Sequence, residues 1–177
     1  MDIGVISVRY ARALLKSATQ QNVQIDVYRD MQQLADTYIK LPKLRRTLDN
    51  PMLSIEQKES LLLAAAGKTP AELTKKFVAL ILKEGREAMM QFMANSYISL
   101  YRKQQNLISG RLITATPVAP DTEAKLRGMV EKRTSGKVEF KTEVSPDIIG
   151  GFILEYDTYR MDASVKSQLR NILNKLS

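Results

Sequence analysis

Residues 143–176 read EVSPDIIGGFILEYDTYRMDASVKSQLRNILNKL, and three structural devices follow one another in them without a linker. Gly150 and Gly151 come directly after Ile148 and Ile149. A residue without a Cβ is needed where the chain takes a positive φ or where another backbone approaches closely. Phe152 to Tyr156 then alternates, with Phe152, Leu154 and Tyr156 on one face and Glu155 on the other, the period of a half-buried strand. Asp157 and Thr158 break that strand, and Tyr159, Arg160 and Met161 return as its partner. Asp162 stands where an N-cap carboxylate accepts the orphan N–H groups of a new helix, with the hydroxyl of Ser164 adjacent. In that helix Val165, Leu169, Ile172, Leu173 and Leu176 recur at spacings of three and four as an inner stripe, while Lys166, Gln168, Arg170 and Lys175 face water.

Immediately upstream, Val138, Phe140 and Val144 alternate with Glu139, Lys141 and Glu143 as a further strand. Residues 108–118, ISGRLITATPV, carry β-branched side chains on both faces and read as a central strand. Between the two, Pro120 and Asp121 open a helix bearing Leu126, Met129 and Val130, which Gly136 ends. Residues 106–177 therefore form a small α+β domain of order β-α-β-β-α.

Before residue 105 the period is helical throughout. A first helix over 4–21 has one stripe of Val8, Ala11, Leu15 and Ala18 and a second of Ile6, Tyr10, Ala13 and Leu14; two apolar faces imply two neighbours, either the core and a partner or the bundle on both sides. A second, Ile25 to Ile39, turns Tyr28, Met31, Leu34, Ala35 and Tyr38 inward, and a short third carries Leu44 and Leu48 before the turn at Asn50-Pro51. Ser54 and Gln57 have capping-box spacing and start a fourth. Thr69 as cap, Pro70 at the first helical position and Glu72 start a fifth, with Leu73, Phe77, Leu80 and Ile81 inward and a stop at Gly85. Met89, Met93, Ser96, Tyr97 and Leu100, with Phe92 alongside, mark a sixth. The expected architecture is an all-α six-helix bundle over 1–105 followed by the α+β domain over 106–177.

Composition narrows the function. The 177 residues include no His and no Cys, which removes imidazole-based triads, thiol nucleophiles, disulfides and His- or Cys-ligated metals. No phosphate-binding glycine loop is present. Asp157 with Asp162 is the nearest thing to a carboxylate pair, and both read as turn and cap residues. No catalytic, cofactor-binding or metal-ligating residue is expected. The N-terminus lacks a signal-peptide pattern, so a cytosolic-side location is expected.

The net charge of +8 is spread along the chain: 16 Lys or Arg face 10 Asp or Glu up to residue 105, and 11 face 9 beyond it. Two readings compete. One is a solvated basic surface that meets acidic proteins or an anionic membrane face. The other is a nucleic-acid- or ribosome-associated protein, for which the Gly and aromatic interleaving of an RNA-binding strand is missing.

The C-terminal pattern of Ile148-Ile149, Gly150-Gly151, the strand Phe152 to Tyr156, then Asp162, Ala163, Ser164, Lys166 and Leu169 resembles the delta subunits of bacterial ATP synthase, relatives of the mitochondrial oligomycin-sensitivity-conferring protein. Weaker matches follow in order along nearly the whole chain: Arg9-Tyr10-Ala11 with Ala13-Leu14, Asn50-Pro51, Phe77 to Leu82 into Glu84-Gly85-Arg86, and Ile113-Thr114-Ala115. Asp157 and Ala163 depart from glycines common in the family.

The resemblance implies a non-catalytic stator subunit of a rotary, proton-translocating ATP synthase, peripheral on the cytoplasmic face of the bacterial inner membrane. Its helical domain would grip N-terminal helices of alpha subunits and its C-terminal domain would meet the b-type peripheral stalk, with no cofactor, small-molecule substrate or nucleic acid involved. It also selects a groove for an alpha-subunit helix between the first and fifth helices, lined by Ile6, Tyr10, Ala13, Leu14, Lys76, Ala79, Leu80 and Lys83.

Overall fold

The computed structural model describes residues 3–134, 136–156 and 158–176, the side chains of Lys175 and Leu176 excepted. Asp157, expected in the hairpin turn, and the side chains of Lys175 and Leu176, expected on the last helix, lie outside the described residues. Two units emerge, Met1–Lys103 and Gln104–Ser177.

The first unit carries α1 (Ile3–Gln20), α2 (Gln24–Lys40), α3 (Lys43–Leu48), α4 (Ile55–Ala66), α5 (Glu72–Lys83) and α6 (Met90–Gln104). Helix α2 packs against α1, α4 and α5. Its Val27, Met31 and Leu34 are wholly buried, and Tyr28, Ala35 and Tyr38 nearly so, which is the stripe the spacing predicts. Val27, Met31 and Leu34 each contribute roughly 1.5–3 kcal/mol of burial, so α2 is the element around which the unit is built.

Helix α4 starts with the expected reciprocal box, the Gln57 N–H donating to Ser54 Oγ and the Ser54 N–H to Gln57 Oε1. Helix α5 does not start as the sequence predicts. It begins at Glu72, after Ala71, and Thr69 is not its cap. The acceptor comes from α2: Asp30 Oδ2 takes the Ala71 N–H at 2.8 Å and the Thr74 hydroxyl at 2.6 Å. A cap supplied by a neighbouring helix leaves no local spacing to read. Burial raises the Asp30 carboxyl above its ordinary value, against the lowering pull of those two donors.

Helix α6 buries Met93 and Tyr97 as expected, but not Met89, Ser96 and Leu100. Met90, Met93, Ala94, Tyr97, Ile98 and Tyr101 are buried, whereas Phe92 is exposed beneath the Arg45 guanidinium, 5.7 Å from its ring centre. A 3₁₀ turn, Glu87–Met89, precedes the helix.

The second unit carries β1 (Leu107–Thr114), α7 (Pro120–Thr134), β2 (Lys137–Val144), β3 (Phe152–Tyr156), β4 (Tyr159–Asp162) and α8 (Val165–Leu176). The sheet order is β2-β1-β3-β4, with β1 parallel to β2 across α7 and antiparallel to β3. The element order is β-α-β-β-β-α, one strand more than expected, because the four-residue return of the hairpin pairs in full register with β3. Leu112, Val138, Leu154 and Tyr156 of the sheet bury against Leu126 and Val130 of α7.

Gly151 has φ +73°, and a Cβ there would run into the carbonyl oxygen of Ala163. Gly150 sits under Val165, whose Cγ2 would lie 3.0 Å from an added Cβ. Ile149 also takes a positive φ, 71°, which a β-branched residue rarely does.

The cap of α8 differs from the sequence reading. Ser164 Oγ accepts the Ser167 N–H at 3.2 Å, and Asp162 holds Ser164 in place by accepting its N–H at 3.0 Å and its hydroxyl at 2.6 Å. The donors from Ser164 and Ser167 hold the Asp162 carboxyl below its ordinary value.

The stripe on α8 was expected to face inward. Only Val165 is half-buried; Leu169, Ile172 and Leu173 are exposed. Contact with the 3₁₀ turn Pro146–Ile148 is the main packing of α8. No helix among the described residues is long and apolar enough to cross a membrane.

Candidate partner-binding groove

Helices α1 and α5 both rest on α2 and leave a groove of about 450 Å³ between them. Arg9, Tyr10, Ala13, Leu14 and Ser17 line it from α1, Leu73, Lys76, Phe77 and Leu80 from α5, and Arg86 from the loop after α5. Leu14 and Phe77 are nearly buried and form its floor, whereas Leu80 is 46% exposed at its lip. Three of its residues are cationic and none is acidic.

Of the residues expected there, Tyr10, Ala13, Leu14, Lys76 and Leu80 come together. Ile6 does not: it is 7% exposed and belongs to the core of the unit, one turn before Tyr10 on the same stripe. Ala79 and Lys83 are exposed on α5 and do not line the groove. Ser17, Leu73 and Phe77 were missed as lining residues, although each extends a stripe already visible at spacings of three or four. Arg9 falls at the same spacing, four residues before Ala13, but is not apolar, and Arg86 lies beyond α5 and carries no periodic signal.

The position of Arg86 follows from the way α5 ends. Gly85 takes φ +62°, its N–H donates to the Leu82 carbonyl at 3.1 Å, and the Arg86 N–H donates to the Ile81 carbonyl at 3.0 Å. This pair of bonds closes a helix on a left-handed residue and fixes the direction of the next one. The Arg86 guanidinium then donates to the Tyr10 hydroxyl at 2.8 Å and lies 5.2 Å from the centre of its ring.

Several titratable groups elsewhere are engaged structurally. Glu87 pairs with Lys58 at 2.7 Å, and although burial opposes its charge, that pair keeps its carboxyl below the ordinary value. Burial drives the Tyr38 and Tyr97 phenols well up. Among the described residues no three Asp or Glu side chains converge as a metal site would require.

The fold is a helical unit, grooved between α1 and α5, and a small α+β unit. Comparison with known proteins places it more closely. Residues 6–176 match the family described as "ATP synthase delta (OSCP) subunit", and the chain belongs to that family. It is 48% identical to the ATP synthase subunit delta of Phocaeicola vulgatus over 97% of this chain and 94% of the relative. It is 42% identical to that of Parabacteroides distasonis, over 97% and 96%. A chain in the cryo-EM structure of the Toxoplasma gondii mitochondrial ATP synthase hexamer shares the fold, with a TM-score of 0.61 over 96% of both chains at 20% identity. Membership makes this chain a non-catalytic structural subunit of ATP synthase, in the stator or peripheral stalk. The nucleic-acid reading finds no support in these relatives.

Proposed function

We propose that this subunit is the joint between the catalytic head of a rotary, proton-translocating ATP synthase and its peripheral stalk. The helical unit, residues 1–105, grips an N-terminal helix of the alpha subunits, and residues 106–177 meet the b-type stalk. The chain is held through the complex on the cytoplasmic face of a bacterial inner membrane. The observation that carries this reading is the groove between α1 and α5: an apolar floor with a basic lining suits the apolar stripe of an amphipathic helix. The exposed stripe Leu169, Ile172 and Leu173 on α8 gives the second unit an apolar surface of its own for the stalk.

The mechanical demand is considerable. Each charge crossing 100 mV releases roughly 2.3 kcal/mol, and the head must not turn while that energy is converted. A nanomolar contact is worth about 12 kcal/mol, and attachment at two places adds avidity without one extreme interface.

The test is titration of the full chain with the N-terminal peptide of the alpha subunit of the same synthase. Leu80→Asp is the informative variant, since Leu80 lines the groove and is already 46% exposed. Leu14→Asp would be ambiguous, because Leu14 is 4% exposed and its loss would unsettle the helices themselves. Burying a charge where the apolar stripe should sit is expected to weaken binding at least tenfold. Unchanged affinity would remove the groove as the docking site.

A further inference from the structure

Lysine and arginine side chains usually reach into solvent and must be ordered before they recognise anything. Two of the three cations of the groove, Arg9 and Lys76, are exposed in this way. Arg86 is not. It is half-buried, its backbone is fixed by the closing turn of α5, and its guanidinium rests on the Tyr10 ring with one N–H given to the Tyr10 hydroxyl. A guanidinium has five N–H donors in a planar fork, so a carboxylate can still be met by two of them. The lining offers Arg86 no acidic residue. A pre-ordered cation beside an apolar groove is half of a charge pair, and the missing half is an anion on whatever fills that groove.

We propose that Arg86 is the residue that sets register and polarity in the groove, by pairing with one Asp or Glu beside the apolar stripe of the docked alpha-subunit helix. This rests on the groove being the docking site. Apolar stripes recur along a helix, so a smooth groove accepts them shifted by a turn or reversed end to end. A single fixed cation at the Tyr10 end breaks that degeneracy, because only one register and direction brings the carboxylate to it. Tyr10 acts as a positioning residue: it holds the guanidinium in the plane from which the fork is presented.

The experiment is a double-mutant cycle on the full chain, read by titration with the alpha-subunit N-terminal peptide and with peptides in which each Asp or Glu is replaced singly by its amide. A charge-assisted hydrogen bond at a partly buried site corresponds to roughly 10- to 100-fold in affinity. Arg86→Gln is expected to weaken the unaltered peptide by that factor. One peptide substitution is expected to weaken binding to the unmutated chain while having no further effect on Arg86→Gln. Tyr10→Phe keeps the ring and loses the hydroxyl, and is expected to weaken binding severalfold with the same peptide carboxylate still coupled. Thermal melts of both variants check that the helices remain folded, and Arg86→Lys, which retains charge without the fork, should recover only part of the loss. If Arg86→Gln binds as well as the unmutated chain, or if no single carboxylate couples to it, the assignment is wrong although the groove stands. If the peptide fails to bind the unmutated chain, or Leu80→Asp leaves its affinity unchanged, the groove reading falls and takes this one with it.

Discussion

The Asp30 carboxylate on α2 accepts the Thr74 hydroxyl of α5 at 2.6 Å while the same oxygen takes the Ala71 N–H at 2.8 Å, so one helix caps the start of another. The start of α5 carries no cap of its own, and α5 is a wall of the groove. Asp30→Ala leaves a buried hydroxyl and a helix-end N–H without this acceptor and is expected to destabilise the helical unit by about 2–4 kcal/mol in urea unfolding.

Asp30→Asn separates charge from hydrogen bonding, since its carbonyl oxygen can accept both donors. Burial raises the Asp30 carboxyl above its ordinary 3.8. The protonated acid is therefore the form that folding favours. Its contribution is complete below the ordinary value and is lost as pH rises through the higher folded value. The Asn variant should lack that loss, so the stability difference between it and the unmutated chain should move in favour of Asn as pH rises through that window. A constant difference across the acid range would show that Asp30 titrates normally.

Gly151→Ala should be far worse than an ordinary surface substitution. The residue has φ +73°, and the new Cβ meets a backbone carbonyl oxygen, that of Ala163, which cannot rotate away as a side chain would. The left-handed conformation alone costs an L-residue roughly 1–2 kcal/mol and overpacking a further 1–3. The expected loss is about 3 kcal/mol, confined to the second unit and visible as faster amide exchange in β3 and α8. An equal loss of protection in α1 to α6 would contradict this.

What could be read from the sequence was whatever is encoded within one element. The α2 stripe, the Ser54–Gln57 box, the hairpin of β3 and β4 and the central position of β1 follow from local spacing, and the structure shows each of them. The cap of α5 could not be read, because Asp30 lies 41 residues from Ala71 and only packing brings them together. On α6 Met93 and Tyr97 could be read, but apolar spacing alone did not separate the buried Met90, Ile98 and Tyr101 from the less buried Met89 and Leu100. In the groove, periodicity pointed to Tyr10, Ala13 and Leu14, but Ile6 shows its weakness: an apolar face says that something covers it, not whether that is the core or a partner. Arg86 needed the turn geometry at Gly85 before it could be placed at all.

Ser164 and Asp162 make a linked prediction at the start of α8. Asp162 is held below its ordinary 3.8 by donors from Ser164 and Ser167. A depressed carboxyl stabilises the fold above the unfolded value, and the contribution disappears as pH falls through the lower folded value. Ser164→Ala removes the hydroxyl that reaches Asp162 and the oxygen that accepts the Ser167 N–H. Stability near neutral pH should fall by about 1 kcal/mol, and the Asp162 titration, followed by carboxyl NMR shifts, should move up toward the ordinary range. A titration that stays where it was would mean that the Ser167 hydroxyl, 2.8 Å from Oδ2, dominates instead.

The apolar stripe of α8 separates folding from assembly. Ile172 is 54% exposed and Leu173 64%, with Leu169 one turn earlier at 48%, so water already meets these side chains in the free chain. Replacing exposed residues usually changes stability by no more than about 0.5 kcal/mol, and Ile172→Glu with Leu169→Glu should leave the melting temperature of the free chain nearly unchanged. If the stripe is where the b-type stalk docks, each substitution places an uncompensated charge in an apolar contact, and a purified stalk fragment should bind at least tenfold more weakly. Binding of the alpha-subunit peptide to the groove should be unaffected, since that site lies within residues 9–86. A double variant that melts early would place the stripe in the core of the second unit after all. One that melts normally and still binds the stalk fragment would move the stalk contact to another surface of residues 106–177.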